Sequence, residues 1–298
     1  MKIISWGMLF LLGLVWSGSF FFHEVLLPEV APTTIVFHRV FIASIVITLV
    51  AYFEGKPFPR NPRLLGFYSV IGLTNAVIPY CAIVWGQQFI TGGLAAIVNS
   101  NTAFASIILA ALLLRDEALT ARKLIGVCFG IGGVVVAVGV AELMNLSASN
   151  LGQHAVLLAT FCYAISTVAI RKWGGVIDPI MAVVVMFWGA TIWMAVVLWL
   201  VGGTPLFPPT VPYVTSILCL GVLSTSLAYV LYFLLIKQIG AGSTTMVTIL
   251  IPPMTILMNG VLLDEAVTLN QLLGFVLIAC GLFLAVRGLD SNRSKSTN

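Results

Sequence analysis

Charge is what this sequence has least of. Asp, Glu, Lys and Arg make up 8% of its 298 residues, against roughly 25% in soluble domains. That shortage excludes an ordinary soluble domain. The 14 Lys and Arg exceed the 10 Asp and Glu, but they form no basic patch of the kind that binds nucleic acid. Histidine is nearly as scarce, at three residues. The five cysteines, Cys81, Cys128, Cys162, Cys219 and Cys280, are odd in number and widely spaced, each inside an apolar run, which fits neither a disulfide framework nor a metal site. They read as small packing residues. Paired aspartates, His-Glu metal spacing, a nucleophile elbow and a phosphate loop are missing too, which disfavours a membrane-embedded hydrolase or transferase. No catalytic residue, metal or cofactor is expected.

What the chain has instead is apolar length. Hydrophobic residues make up 60% and mean hydropathy is +1.11. A bilayer core takes about 20 apolar residues per helix. Breaking the chain at polar, Gly and Pro clusters gives ten such runs: Ile4–Leu26, Thr33–Phe53, Leu64–Trp85, Leu94–Leu114 and Leu124–Val140, then Ala155–Ile170, Ile180–Val201, Tyr213–Ile236, Ser243–Leu263 and Leu269–Val286. Backbone groups in lipid must bond internally, so these runs read as helices and the fold class as an all-α polytopic membrane protein. The first run follows Lys2 as a signal peptide would, but it is too long and lacks a cleavage site. It reads as an uncleaved first span.

Basic residues accumulate on the cytoplasmic side of such bundles. With the N-terminus inside, Lys2, Lys56, Arg60, Arg63, Arg115, Arg122, Lys123, Arg171, Lys172, Lys237, Arg287, Arg293 and Lys295 all fall inside. Only Arg39 is left over, within the second span. Shifting the chain by 147 or 148 positions aligns Trp16 with Tyr163, Ser19 with Ser166, Pro32 with Pro179, Asp116-Glu117-Ala118 with Asp264-Glu265-Ala266, Gly126 with Gly274 and Gly133 with Gly281. Five spans per half is an odd number, so the copy enters from the opposite face, an inverted repeat of the kind common in secondary transporters. The expected organisation is a first repeat at 1–140, a periplasmic connector at 141–153, an inverted repeat at 154–287 and a cytoplasmic tail at 288–298. Both termini are cytoplasmic.

A proline opening the second and seventh spans, and the spacing Leu114-x-x-Glu117-Ala118-x-Thr120-x-x-x-x-x-Gly126 repeated as Leu262-x-x-Glu265-Ala266-x-Thr268-x-x-Gln271-x-x-Gly274, resemble the EamA branch of the drug/metabolite transporter superfamily. The resemblance covers nearly the whole chain and is greatest to that family's bacterial aromatic amino acid exporters. It implies a multi-pass protein of the bacterial inner membrane that exports amino acids, related metabolites or drugs. Cationic drugs or other metabolites are the alternative cargo, and a monomer is expected. A small-molecule substrate and the lipid bilayer are the expected partners.

Candidate site residues follow from polarity within spans, where a charge is a functional hypothesis by default. Arg39 is either a guanidinium for a substrate carboxylate or a structural arginine reaching the interface. His38 beside it, and His23 and Glu24 near the end of the first span, read more readily as satisfied or interfacial side chains. No Asp or Glu lies at mid-depth, which disfavours strong proton coupling through one; weak coupling through His38 or Glu24 stays open. Pro79 would kink the third span near Asn75 and Tyr80. Asn99 and Thr102 would share a face of the fourth span with Ala95 and Ser106. Trp16 and Tyr163 are repeat equivalents, and Ser226, Tyr229 and Phe233 form a stripe on the eighth span. Each aromatic reads as substrate contact or plain packing. Pro252 and Pro253 interrupt the ninth span, as a hinge or a static bend, and Gly126-x-x-x-Gly130 reads as close packing within the chain. Such a site suits amphipathic or aromatic solutes better than phosphates, which would need several paired cations.

Overall fold

The structure, a computed structural model, describes residues 3–114, 120–139, 148–206, 208–244 and 247–293. All regular structure among them is helical. In chain order the helices are α1 (Ile3–Leu26), α2 (Pro32–Phe53), α3 (Pro62–Gly72), α4 (Ile78–Gly86), α5 (Gly92–Asn99), α6 (Thr102–Leu113), α7 (Ala121–Val138), α8 (Ala148–Trp173), α9 (Pro179–Leu200), α10 (Val211–Gly221), α11 (Ala228–Thr244), α12 (Val247–Leu262) and α13 (Leu269–Arg293). π-helical turns at Leu73–Val77 and Val222–Leu227 join α3 to α4 and α10 to α11. Eight helical runs are long and apolar enough to cross a membrane, and Val247–Leu262 and Leu269–Leu284 are shorter apolar helices. Large side chains on their outer faces stay uncovered, Trp199 at 79% and Leu257 at 66% exposure, as lipid contact requires.

Local chemistry sets the ends. Pro32 and Pro179 open α2 and α9, where a missing N–H costs nothing. Thr120 caps α7 by accepting from the Lys123 amide at 3.4 Å. Thr268 and Gln271 form a reciprocal capping box at α13, with bonds of 3.0 and 3.2 Å. The Asp116-Glu117 half of the repeated triplet lies outside the described residues.

Four expectations from sequence change. The fourth span is two helices. Ser100 and Asn101 separate α5 from α6, because consecutive side chains bond the carbonyls three residues back: Ser100 Oγ to Ile97 at 2.6 Å, Asn101 Nδ2 to Val98 at 3.2 Å and Thr102 Oγ1 to Asn99 at 2.8 Å. Such bonds compete with the helix ladder. Asn99 and Thr102 therefore flank a break rather than share a helix face. Pro252 and Pro253, in contrast, lie inside a helix that continues through them. Residues 148–153 of the connector are already the first turns of α8. Residues 288–293 of the expected tail continue α13.

The two halves interlock. α1 packs on α11 and α12 while α8 packs on α4, α5 and α6; α2 packs on α9 and α10 while α9 packs on α2 and α3; and α7 packs on α13. Exchanging the halves turns each of these pairings into another or into itself. Glycines permit the closest approaches. A methyl group on Gly274 would lie 2.5 Å from the Gly133 oxygen, and one on Gly281 would lie 2.6 Å from the Gly126 oxygen. A side chain at Gly130 would collide with the Phe104 ring, so the Gly126-x-x-x-Gly130 face is filled from within the chain.

Candidate functional site

The polar centre of the bundle is built around Arg39 of α2, which is 5% exposed. Its Nε donates to Thr225 Oγ1 at 3.0 Å, Nη2 donates to Ser19 Oγ at 3.2 Å, and Nη1 lies 3.2 Å from His23 Nε2. The guanidinium also rests over the Tyr80 ring, 3.9 Å from its centroid. Ser19 and His23 are one turn apart on α1, so one helix face supplies both. Thr225 is presented by the second π-helical turn, where its hydroxyl reaches the Leu220 oxygen at 2.8 Å and Ser226 reaches that of Gly221 at 2.9 Å. Bonds to carbonyls five residues back hold the widened turn open, and such turns recur at functional sites.

Arg39 can only donate, so His23 Nε2 accepts from it. The proton of this neutral ring is then on Nδ1, which donates to Gln87 Oε1 at 2.8 Å. Gln87 Nε2 in turn donates to the Phe20 oxygen at 2.9 Å. A directed chain of hydrogen bonds thus runs from Arg39 to the junction of α4 and α5. Every partner of the guanidinium is neutral. Among the described residues the ion pairs within 4 Å are those of Lys56, with Asp178 at 2.8 Å and Glu54 at 3.8 Å.

A second polar group lies beside the first. Asn75 Nδ2, on the first π-helical turn, donates to the Tyr229 hydroxyl at 2.9 Å and approaches Met186 Sδ at 3.5 Å. Thr74 and Ser166 hydroxyls meet at 2.8 Å. Tyr229 stacks edge-on against Phe187 at 5.3 Å and neighbours Phe233 at 6.3 Å. Tyr80, Tyr163 and Tyr229 belong to one core cluster.

Of the residues singled out from sequence, Arg39, Tyr80, Tyr163 and Tyr229 come together here. Pro79 sits just after the first π-helical turn, whose i to i+5 bond from Ile78 to Leu73 accommodates it. Trp16 pairs with Tyr232 at 5.7 Å and shares with Tyr163 a core cluster that includes Phe20 and Ile97. His38 turns away from Arg39, its Nδ1 at 2.9 Å from the Thr34 oxygen. Asn99 and Thr102 are not partners of Arg39. Ser19, His23, Gln87 and Thr225 were the residues that sequence reasoning left out of the site. Ser19 had a signal, its match to Ser166 in the repeat; Gln87 lay in a short junction and had none.

The sequence profile of the EamA-like transporter family matches residues 4–139 and, a second time, 150–287. The uncharacterized transporter YoaV of Bacillus subtilis is 24% identical over 273 residues, spanning 91% of this chain and 92% of that one. A probable amino-acid metabolite efflux pump of Escherichia coli is 26% identical, with 92% of each chain covered. A crystal structure superposes with a TM-score of 0.69 over 96% of this chain and 99% of that one, at 16% identity, a likeness of fold.

Proposed function

The chain belongs to the EamA-like transporter family of multi-pass membrane proteins, and on that premise we propose that it exports amino acids with aromatic or other apolar side chains across the bacterial inner membrane by alternating access. The observation that carries this reading is a buried guanidinium whose partners are all neutral. Burying a cation without an anion is costly, and a substrate carboxylate is the counter-ion that offsets the cost. Tyr80, Tyr229 and Trp16 supply aromatic surface beside it. With Arg39 5% exposed, the carboxylate reaches it only when one end of the bundle opens. The Escherichia coli relative, a probable amino-acid metabolite efflux pump, and the chain's overall resemblance to the bacterial aromatic amino acid exporter YddG point the same way. Cationic drugs are disfavoured as cargo, since Arg39 would repel them.

The architecture belongs to this reading: ten spans as two inverted repeats, 1–140 and 154–287, joined by a periplasmic connector, with cytoplasmic termini. The family's double match and the exchangeable helix pairings support it. Reporter fusions should place Glu117 inside and Glu265 outside; both on one side would end the inverted repeat. For transport, purified protein in liposomes is expected to exchange radiolabelled phenylalanine. Arg39→Gln should weaken binding by about 2–3 kcal/mol, the worth of a hydrogen bond to a charged group, or roughly 30- to 150-fold in affinity. An affinity unchanged in that variant sinks the assignment of Arg39.

A further inference from the structure

At the end of the bundle where α1 finishes and α5 begins, two carboxylates from different halves meet on one helix N-terminus. Glu24 of α1 accepts a hydrogen bond from the Gly92 amide. Glu265, just beyond α12, accepts from the adjacent Gly93 amide at 3.1 Å. Its second oxygen accepts from Asn259 Nδ2 at 2.7 Å. The glycines are required, because a methyl group on Gly92 would lie 2.8 Å from Glu24 Oε1 and one on Gly93 would lie 2.8 Å from Glu265 Oε1.

The surroundings of the pair hold little to offset two negative charges. The α5 N-terminus supplies a partial positive charge. The titratable group nearest on α1 is His23, held neutral by its bonds, with Arg39 of α2 on its far side. Gln87 from the α4 junction adjoins Glu24, since a methyl group on Gly92 would meet both side chains, α12 contributes the neutral Asn259, and Asp264 beside Glu265 is exposed. Glu265 is close enough to act on Glu24 electrostatically. Two carboxylates sharing one site do not both ionise readily. A second, independent observation marks what is missing. Asn259 is fully buried, and the Oδ1 of the amide that bonds Glu265 has no hydrogen-bond donor. The cluster is therefore one hydrogen-bond donor short, and protonating a carboxyl adds a donor to it.

We infer that Glu24 and Glu265 form a proton-binding site that joins the two halves at this end and couples proton entry to export. It rests on the transport reading above for its role, though not for its existence. A metal cation fits less well, since both Oε1 atoms and Glu265 Oε2 already receive N–H donors. The link to substrate is the chain Arg39, His23, Gln87, Glu24. A carboxylate arriving at Arg39 competes with His23 for the guanidinium, and a shift of His23 moves Gln87 and hence Glu24. Loss of the shared proton then sets the two carboxylates against each other and frees α1 and α5 from Glu265 and α12.

Infrared titration of purified full-length protein in nanodiscs tests the site without a substrate. A protonated carboxyl band that titrates in the wild type and disappears in Glu265→Gln, and also in Glu24→Gln, is expected; no such band in the wild type overturns the proposal. Glu265→Asp, which keeps the carboxyl, should retain the band with a shifted midpoint. The coupling is tested in liposomes with radiolabelled phenylalanine. An acid-inside gradient should raise wild-type uptake at least fivefold, and the ratio of gradient-driven uptake to exchange should fall at least fivefold in either Gln variant. Exchange in the wild type with no response to the gradient, a response to a sodium gradient instead, or Gln variants with an unchanged ratio would each overturn it. Absence of phenylalanine exchange in the wild type counts against the transport reading alone, and the infrared result still decides the proton site.

Discussion

The fourth span and its repeat counterpart around α12 lose regular helix hydrogen bonds about one turn apart by different chemistry. In the first half, Ser100 and Asn101 divert the carbonyls of Ile97 and Val98 to side chains, and the helix breaks. At a shift of 148 these residues correspond to Thr248 and Ile249, whose carbonyls face Pro252 and Pro253, residues with no N–H to give. There the helix continues. The π-helical turns divide in the same way. Pro79 follows the first, and the hydroxyls of Thr225 and Ser226 hold the second. Weakness within about a turn of matched positions is thus common to both halves while its cause is not.

The central pair is where the halves differ most. Arg39 and Met186 are repeat equivalents at a shift of 147. Each reaches from α2 or α9 to the π-helical turn of the opposite half, Arg39 to Thr225 and Met186 to Asn75. Ser19 and its equivalent Ser166 serve the two groups in turn, the one bonding Arg39 and the other Thr74. One pole of the site is therefore cationic and the other a soft thioether beside aromatic rings. That asymmetry suits a solute with a carboxylate at one end and an apolar group at the other.

Making the halves alike should have the largest effect. Met186→Arg buries a second guanidinium among Phe187, Tyr229 and Asn75 and is expected to lower stability by about 3–5 kcal/mol, the scale of an uncompensated buried charge. Arg39→Met removes a buried charge and should leave stability within about 1–2 kcal/mol of the wild type while abolishing carboxylate binding. Melting in detergent alongside phenylalanine binding separates the two. Equal destabilisation by both would refute the two-pole site. A smaller effect is expected from Asn75→Leu, which removes the amide from the first π-helical turn. Tyr229 loses its amide partner, at a cost of about 1–2 kcal/mol, and substrate affinity should fall by a similar factor. No change in melting or affinity would make Asn75 a bystander.

How much of this was legible in sequence depended on periodicity. The spans, the repeat and the capping of α7 and α13 follow from apolar length and recurring short motifs, which act locally. Arg39 and Tyr80 could be picked out because polar groups in an apolar run are conspicuous. Their contact could not, because it depends on how α2 meets the junction of α3 and α4. His38, which read as a satisfied or interfacial side chain, is turned from Arg39 to the Thr34 carbonyl by the 100° between successive residues. The break at Ser100 was hidden for a related reason. Pro252 and Pro253 are the residues that sequence reasoning expects to break a helix, yet side chains competing for carbonyls did so instead. Glu265 sat in what read as a structural joint, and nothing local says that it meets Glu24 on the Gly92-Gly93 amides.

The smallest contrast lies at the other end. α2 starts at Ala31 with no side-chain cap, whereas its equivalent α9 starts at Asp178, whose carboxylate accepts from the Ile180 amide at 2.9 Å and from Lys56 at 2.8 Å. Burial would raise the Asp178 carboxyl, but the hydrogen bonds from Lys56 and the Ile180 amide, with the charge of Lys56, outweigh it and hold the group below its usual value. Lys56 is raised in return, chiefly by its hydrogen bond to Asp178. A carboxyl depressed in the folded state contributes stability above its unfolded value near 4 and loses it as pH falls through the folded one. Asp178→Ala gives α9 the cap of α2 and is expected to cost about 1 kcal/mol, a difference that should shrink as the pH is lowered below about 4. The pair is partly exposed, with side chains 27% and 30% accessible, so solvent screening limits its share. A melting difference between wild type and variant that stays constant from neutral pH to pH ~3 would show that the carboxylate's charge contributes nothing there, and that the two helix starts are equivalent in all but sequence.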